Sequence, residues 1–205
     1  MQQRSVQQRS VPHPFRVRRA APAVAGRTKR VGEQDSFVKV WHGSRGESMS
    51  MTPASCLILA CGNTLRGDDG AGPWLAAWAQ ERFRSHPAVR VISRQQWTPE
   101  LAAEIAQANS VLFVDCAADA SPGQLRLIPV APATDVPTPP THHLGATELL
   151  ALCHSLYDSL PRNALLLTIG AGSLELGEKF SHPVQAALPD ARALLEKTVL
   201  RFLAG

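Results

Sequence analysis

Three places along the chain carry side chains able to do chemistry. Asp68 and Asp69 lie side by side in the loop Gly62-Asn63-Thr64-Leu65-Arg66-Gly67-Asp68-Asp69-Gly70-Ala71-Gly72. Asp115 closes the apolar run SVLFVDC, and His142 and His143 end the proline-rich stretch APATDVPTPPTHH. Two carboxylates and one imidazole, if brought together, form a site suited to divalent Ni, Zn, Mn or Fe. Each group also has a plainer role. Paired Asp in a glycine-rich loop often cap the following helix or stabilise a turn, an acid at a strand end can do the same, and a loop His commonly faces solvent. One of the two Asp could cap the helix while the other points into the crevice.

Other chemistries fail on the residues themselves. The loop is no phosphate cradle, because G-x-G-x-x-G and the P-loop spacing with its Lys are missing and adjacent carboxylates repel phosphate. H-E-x-x-H and G-x-S-x-G are absent too. Cys56, Cys61, Cys116 and Cys153 show no C-x-x-C pairing and sit among apolar neighbours, so they read as small buried hydrophobes in a reducing compartment.

The elements that must position these groups follow from periodicity. CLILAC (56–61) is a strand-length apolar run, and GPWLAAWAQERF (72–83) has the apolar spacing of a helix, with Leu75, Trp78, Ala79 and Arg82 on one face. VRVIS (89–93) is a second strand. Thr98 as N-cap and Pro99 at the first helical position open a helix through PELAAEIAQA. SVLFVDC (110–116) is a third strand, and QLRLIPV (124–130) alternates as an edge strand does. A helix through TELLALCHSLYDSL, the strand ALLLTIG and a last helix from Pro183 to Leu203 complete the series, with Pro189 expected to start or kink that helix. Strands alternating with helices predict a three-layer α/β/α sandwich around a mainly parallel, twisted sheet of about five strands. In such folds ligands bind beyond the carboxyl ends of the strands, where the loops holding Asp69 and Asp115 emerge.

Of the 205 residues 44% are apolar and 19% charged, an ordinary globular balance, and no apolar run reaches the roughly 20 residues of a membrane span. The net charge of +4 is unevenly placed: residues 1–50 hold 10 Lys/Arg against 3 Asp/Glu, and the remainder 11 against 14. The basic excess therefore belongs to a leader that repeats QQRSV and lacks hydrophobic periodicity. The chain divides into a disordered basic leader over 1–50, read as upstream sequence before a start at Met49 or Met51, and an α/β domain over 51–205. A nucleic-acid partner has no support outside the leader, a membrane partner none, and no secretory signal is evident, so a cytoplasmic protein is expected.

The motif Gly62-Asn63-x-Leu65-x-Gly67-Asp68-Asp69-Gly70-x-Gly72, directly after a buried strand, resembles the signature of the nickel-iron hydrogenase maturation endopeptidases. The match continues in order through the strand ending in Asp115, the loop His in THHLG, a Leu-rich helix, a strand and a terminal helix, over about Ser55 to Leu203. The resemblance implies removal of a C-terminal peptide from the nickel-loaded precursor of the hydrogenase large subunit. It puts the catalytic, metal-contacting positions on Asp69, Asp115 and His142, with His143 as a neighbour able to exchange roles and Gly62, Asn63, Gly67, Asp68, Gly70 and Gly72 as the supporting loop. It further implies nickel supplied by the substrate, with zinc or cadmium able to substitute in the isolated protein, and a monomer that meets the precursor. Ala60 and Cys116 depart from the family's common Gly and Ala, and Cys116 sets a soft donor beside the metal position. A noncatalytic chaperone-like module that grips the metal-loaded precursor is the alternative. Trp74 and Trp78, one helical turn apart, are core residues or part of a precursor-docking surface.

Overall fold

The computed structural model describes residues 56–134 and 144–205. The leader over 1–50, His142 and His143 lie outside these residues. Five strands form one sheet in the order β2-β1-β3-β5-β4: β1 (Cys56–Cys61), β2 (Val89–Arg94), β3 (Ser110–Ala117), β4 (Leu125–Pro129) and β5 (Asn163–Gly170). Pairs β1–β2, β1–β3 and β3–β5 are parallel, and only β4, at the edge, runs antiparallel to β5. The mainly parallel five-strand sandwich expected from the alternating pattern is the observed fold.

β1, and β3 from Val111 to Val114, are apolar runs because both of their faces are covered. Alternation sends Cys56, Ile58 and Ala60 with Leu112 and Val114 into one core, and Leu57 and Leu59 with Val111 and Phe113 into the other. The first core lies under α1 (Ala71–Arg82) and α4 (His182–Ala204), the second under α2 (Leu101–Ile105) and α3 (Ala146–Tyr157). In α4, Val184, Leu188, Ala191, Leu195, Val199 and Phe202 recur at helical spacing and are all buried. None of the described helices is long and apolar enough to cross a membrane.

Two expectations change. α2 spans five residues rather than ten, because Pro99 and Glu100 form a turn with i to i+3 bonds (Leu101 N–H to Thr98 O, Ala102 N–H to Pro99 O), and residues 107 and 108 close in the same tight manner. α4 does not start at Pro189. It begins at His182 with a proline in its first turn and runs 23 residues, with Pro189 inside it.

α1 approaches the sheet closely through small residues, Ala71, Gly72, Ala76 and Ala79. A Cβ at Gly72 would fall on the carbonyl oxygen of Cys61 and crowd that of Val114. Glycine there lets the helix start directly above the ends of β1 and β3, which places the preceding loop over them.

Candidate active site

The loop after β1 turns at Gly62, whose φ of +138° is open to glycine and which packs against the Asp69 carbonyl so closely that a Cβ would overlap it. Asn63 braces the next turn, its Oδ1 accepting the Leu65 N–H at 2.9 Å. The chain then enters a 3-10 turn over Gly67–Gly70 that leads into α1. Asp68 and Asp69 both belong to this turn and face different surroundings.

Asp68 is completely buried. Its Oδ2 accepts from the Gly172 N–H at 2.7 Å, the Ser173 N–H at 2.8 Å and the Ser181 hydroxyl at 2.7 Å, and its Oδ1 accepts from the Ser181 N–H at 2.7 Å. Burial pushes this carboxyl upward, but the four bonds, led by the Ser181 hydroxyl, outweigh it and hold the group below the ordinary carboxylate range. Asp68 thus ties its own loop to the β5–α4 loop, and α1 has no side-chain cap.

Asp69 is half-buried, and its Oδ2 accepts the Asn63 N–H at 3.0 Å. Asp115 lies at the carboxyl end of β3, where its Oδ1 accepts the Cys116 N–H at 2.8 Å. Burial pushes the Asp115 carboxyl up to about 6, and the charge of Asp69 adds to the rise against the lowering by the Cys116 N–H. The loop acid Asp69 and the strand-end acid Asp115 are therefore near enough for one charge to act on the other, at the end of the sheet where ligands bind in this fold class. Among the described residues no three His, Cys, Asp or Glu converge as a metal-holding group.

The cysteines divide into two kinds. Cys56 and Cys153 are buried, as small hydrophobes should be, whereas Cys61 and Cys116 are only half-buried. Cys61 stands one residue beyond the Ala60–Val114 register pair, level with Asp115 on the neighbouring strand. Both thiols are pushed up to about 12, first by burial and then by Asp69 and Asp115, so they remain neutral near pH 7 and are poor nucleophiles. Composition gave no hint of Cys61. Its strand-end position in register with Asp115 was the available clue.

Around the crevice, Trp74 is 36% exposed and meets Phe180 edge-on at 6.5 Å, while Trp78 is half-buried beneath the Arg192 guanidinium at 4.9 Å. The two tryptophans thus serve the α1–α4 seam, with Trp74 reaching the surface. Trp97 is buried edge-on to Phe113 at 5.3 Å, and its indole N–H has no acceptor among the described residues.

No protein-family model matches the chain. It is 30% identical over 153 residues to hydrogenase expression/formation protein HoxM of Azotobacter vinelandii, a match covering 71% of this chain and 73% of that protein. Its fold is that of the hydrogenase maturating endopeptidase HybD from E. coli, with a TM-score of 0.57 at 18% identity over 71% of this chain and 92% of the other. The [NiFe] hydrogenase maturation protease HybD from Thermococcus kodakarensis superimposes with a TM-score of 0.54 at 24% identity over 70% and 97%. The extent of the match to HoxM, taken with a shared fold whose acidic loop stands over the strand ends, shows that the chain belongs to the hydrogenase maturation endopeptidase family.

Proposed function

We propose that this protein is an endopeptidase that removes a C-terminal peptide from the nickel-loaded precursor of a nickel-iron hydrogenase large subunit. The observation that carries the reading is the pair Asp69, in the turn after β1, and Asp115, at the carboxyl end of β3, in a chain of this family. Hydrolysis breaks the peptide C–N bond, adds a hydroxyl to the carbonyl carbon and returns a proton to the leaving amine.

Asp69, Asp115 and His142 are the groups assigned to contact the metal, with His143 as the neighbouring imidazole. The donor chemistry of the two acids fits a divalent ion. Each has one carboxylate oxygen engaged by a backbone N–H and the other without a hydrogen bond among the described residues. Burial, with the charge of Asp69 added to it, also makes Asp115 costly to ionise, a cost that a cation beside it reduces. A bound divalent ion polarises a carbonyl and makes water more acidic. The Asn63 and Cys116 N–H groups hold the two carboxylates in orientation. Nickel is assigned to the substrate, so that cleavage tests whether metal insertion is complete.

The deciding experiment is incubation with metal-free and nickel-loaded large-subunit precursor, followed by mass measurement. Loss of a C-terminal peptide from the loaded form alone is expected. Binding of the loaded form without cleavage would replace the protease by a noncatalytic, chaperone-like module. Isolated protein is expected to bind nickel, zinc or cadmium weakly, with affinity falling below about pH 6 as the imidazole protonates. Calorimetry on His142→Ala checks the assignment, and unchanged affinity would move the imidazole role to His143.

A further inference from the structure

Two leucines stand exposed beside the acidic crevice, on separate loops that their backbones join. Leu65 is 54% exposed and Leu176 is 89% exposed. The Gly177 N–H donates to the Leu65 carbonyl at 3.0 Å and the Gly67 N–H to the Gly177 carbonyl at 2.6 Å, while the Arg66 guanidinium reaches the Leu174 carbonyl at 3.4 and 3.5 Å. An exposed leucine on a slack loop would need no explanation. This loop, however, is braced from beneath by the buried carboxylate of Asp68 through Gly172, Ser173 and Ser181. A rigid mount under an apolar side chain left in water is what a docking contact requires, because the ordering is complete before the partner arrives.

The surroundings specify the partner's chemistry. A depression of about 600 Å³ is lined by Leu176 with Gly67, Ser173 and Gly177 and by the exposed residues Glu175, Glu178 and Lys179. Neither glutamate has an ion-pair partner among the described residues. A side chain added at Gly177 would meet nothing within 4 Å, so another chain can approach the backbone there. The Leu65 N–H donates to Asn63 Oδ1 at 2.9 Å and the Asn63 N–H to Asp69 Oδ2 at 3.0 Å, so Leu65 is one residue removed from the Asp69 carboxylate.

We propose that the Leu65–Leu176 face docks the large-subunit precursor, receiving an apolar side chain flanked by a basic one close to the bond that is cut; this presupposes the endopeptidase reading. A peptidase's substrate must cover the surface adjoining its acidic groups. A second copy of this chain seated on the same loop would obstruct its own crevice, and two unpaired carboxylates attract a basic segment rather than their own duplicate.

The test uses the full chain and nickel-loaded precursor. Leu65→Ser/Leu176→Ser should keep the wild-type melting temperature, since both side chains are exposed, while KM rises by about tenfold or more and the single-turnover rate at saturating precursor stays within about threefold. Glu175→Gln/Glu178→Gln should raise KM less and weaken its dependence on salt. Wild-type protein that cleaves, together with a leucine double variant of unchanged KM, would overturn the docking face and leave the endopeptidase reading intact. Wild-type protein that leaves loaded precursor uncut would overturn both. A wild-type dimer in sedimentation that the double variant dissolves would assign the face to self-association instead.

Discussion

Asp68 and Asp115 are both carboxylates at the same end of the sheet, both sheltered from water, and they titrate in opposite directions. Asp68 has four donors and is held below the usual range; Asp115 has one and is pushed up to about 6. The difference is the number of N–H and O–H groups aimed at the oxygens, since burial acts the same way on both. A carboxylate whose bonding is complete has nothing left for a ligand. One that is half-buried with a single donor is costly to ionise, a cost that protonation or a cation beside it relieves.

The largest effect that sharpens this contrast is on processing. Asp69→Asn and Asp115→Asn should each slow cleavage of nickel-loaded precursor by about three orders of magnitude or more while folding at least as stably as the wild type near neutral pH. Single-turnover rates beside calorimetric melting curves check it, and two wild-type rates would return both acids to structural roles. Asp68→Asn should do the reverse. The amide nitrogen cannot accept, so it opposes one of the four donors, and stability should fall by about 2 kcal/mol, with cleavage at saturating precursor within about tenfold of wild type. Denaturant unfolding measures the first quantity. Loss of activity without loss of stability would place Asp68 among the reacting groups.

A smaller and more diagnostic effect is the pH dependence. Asp68 is depressed in the folded protein, so its stabilisation is complete above about pH 4 and is lost as the pH falls through the folded value. The stability gap between wild type and Asp68→Asn should therefore narrow below about pH 4. Asp115 is raised, so in metal-free protein its contribution is complete below about pH 4 and is lost as the pH rises through about 6. Wild type should thus lose ground to Asp115→Asn over that interval, as melting temperatures across pH 3.5 to 7.5 would register, to an extent of roughly a few degrees. Parallel pH curves for the two variants would break the comparison. The least effect belongs to the thiols. With both pushed up to about 12, Cys61 and Cys116 should react with iodoacetamide at pH 8 far more slowly than a free thiol does, and Cys116→Ala should cleave within about threefold of wild type.

Most of the scaffold was legible in the sequence because buried parallel strands are written as apolar runs: CLILAC, SVLFVDC and ALLLTIG became β1, β3 and β5 with little shift in their ends. Propensity misled where local turns intervened, as at Pro99 and Glu100, and where tertiary burial overrode a breaker, as at Pro189 within α4. The site was half legible. An acidic, glycine-rich loop after a strand announces itself, but nothing local tells Asp68 from Asp69. The donors that separate them come from Gly172, Ser173 and Ser181, and no short-range pattern links those residues to the loop.

That separation has a temporal consequence. The three partners of Asp68 follow it by 104, 105 and 113 residues, and they lie just before or at the start of the last helix. As the chain is synthesised from its amino end, β1 and the acidic loop emerge early and wait, because the donors that fix the loop are made almost last. A buried carboxylate without its partners favours the protonated or solvated state, so the loop cannot settle in its working form ahead of them. The hydrolytic centre is therefore assembled only when the domain is nearly finished, and a truncated or still-growing chain carries the motif without the activity.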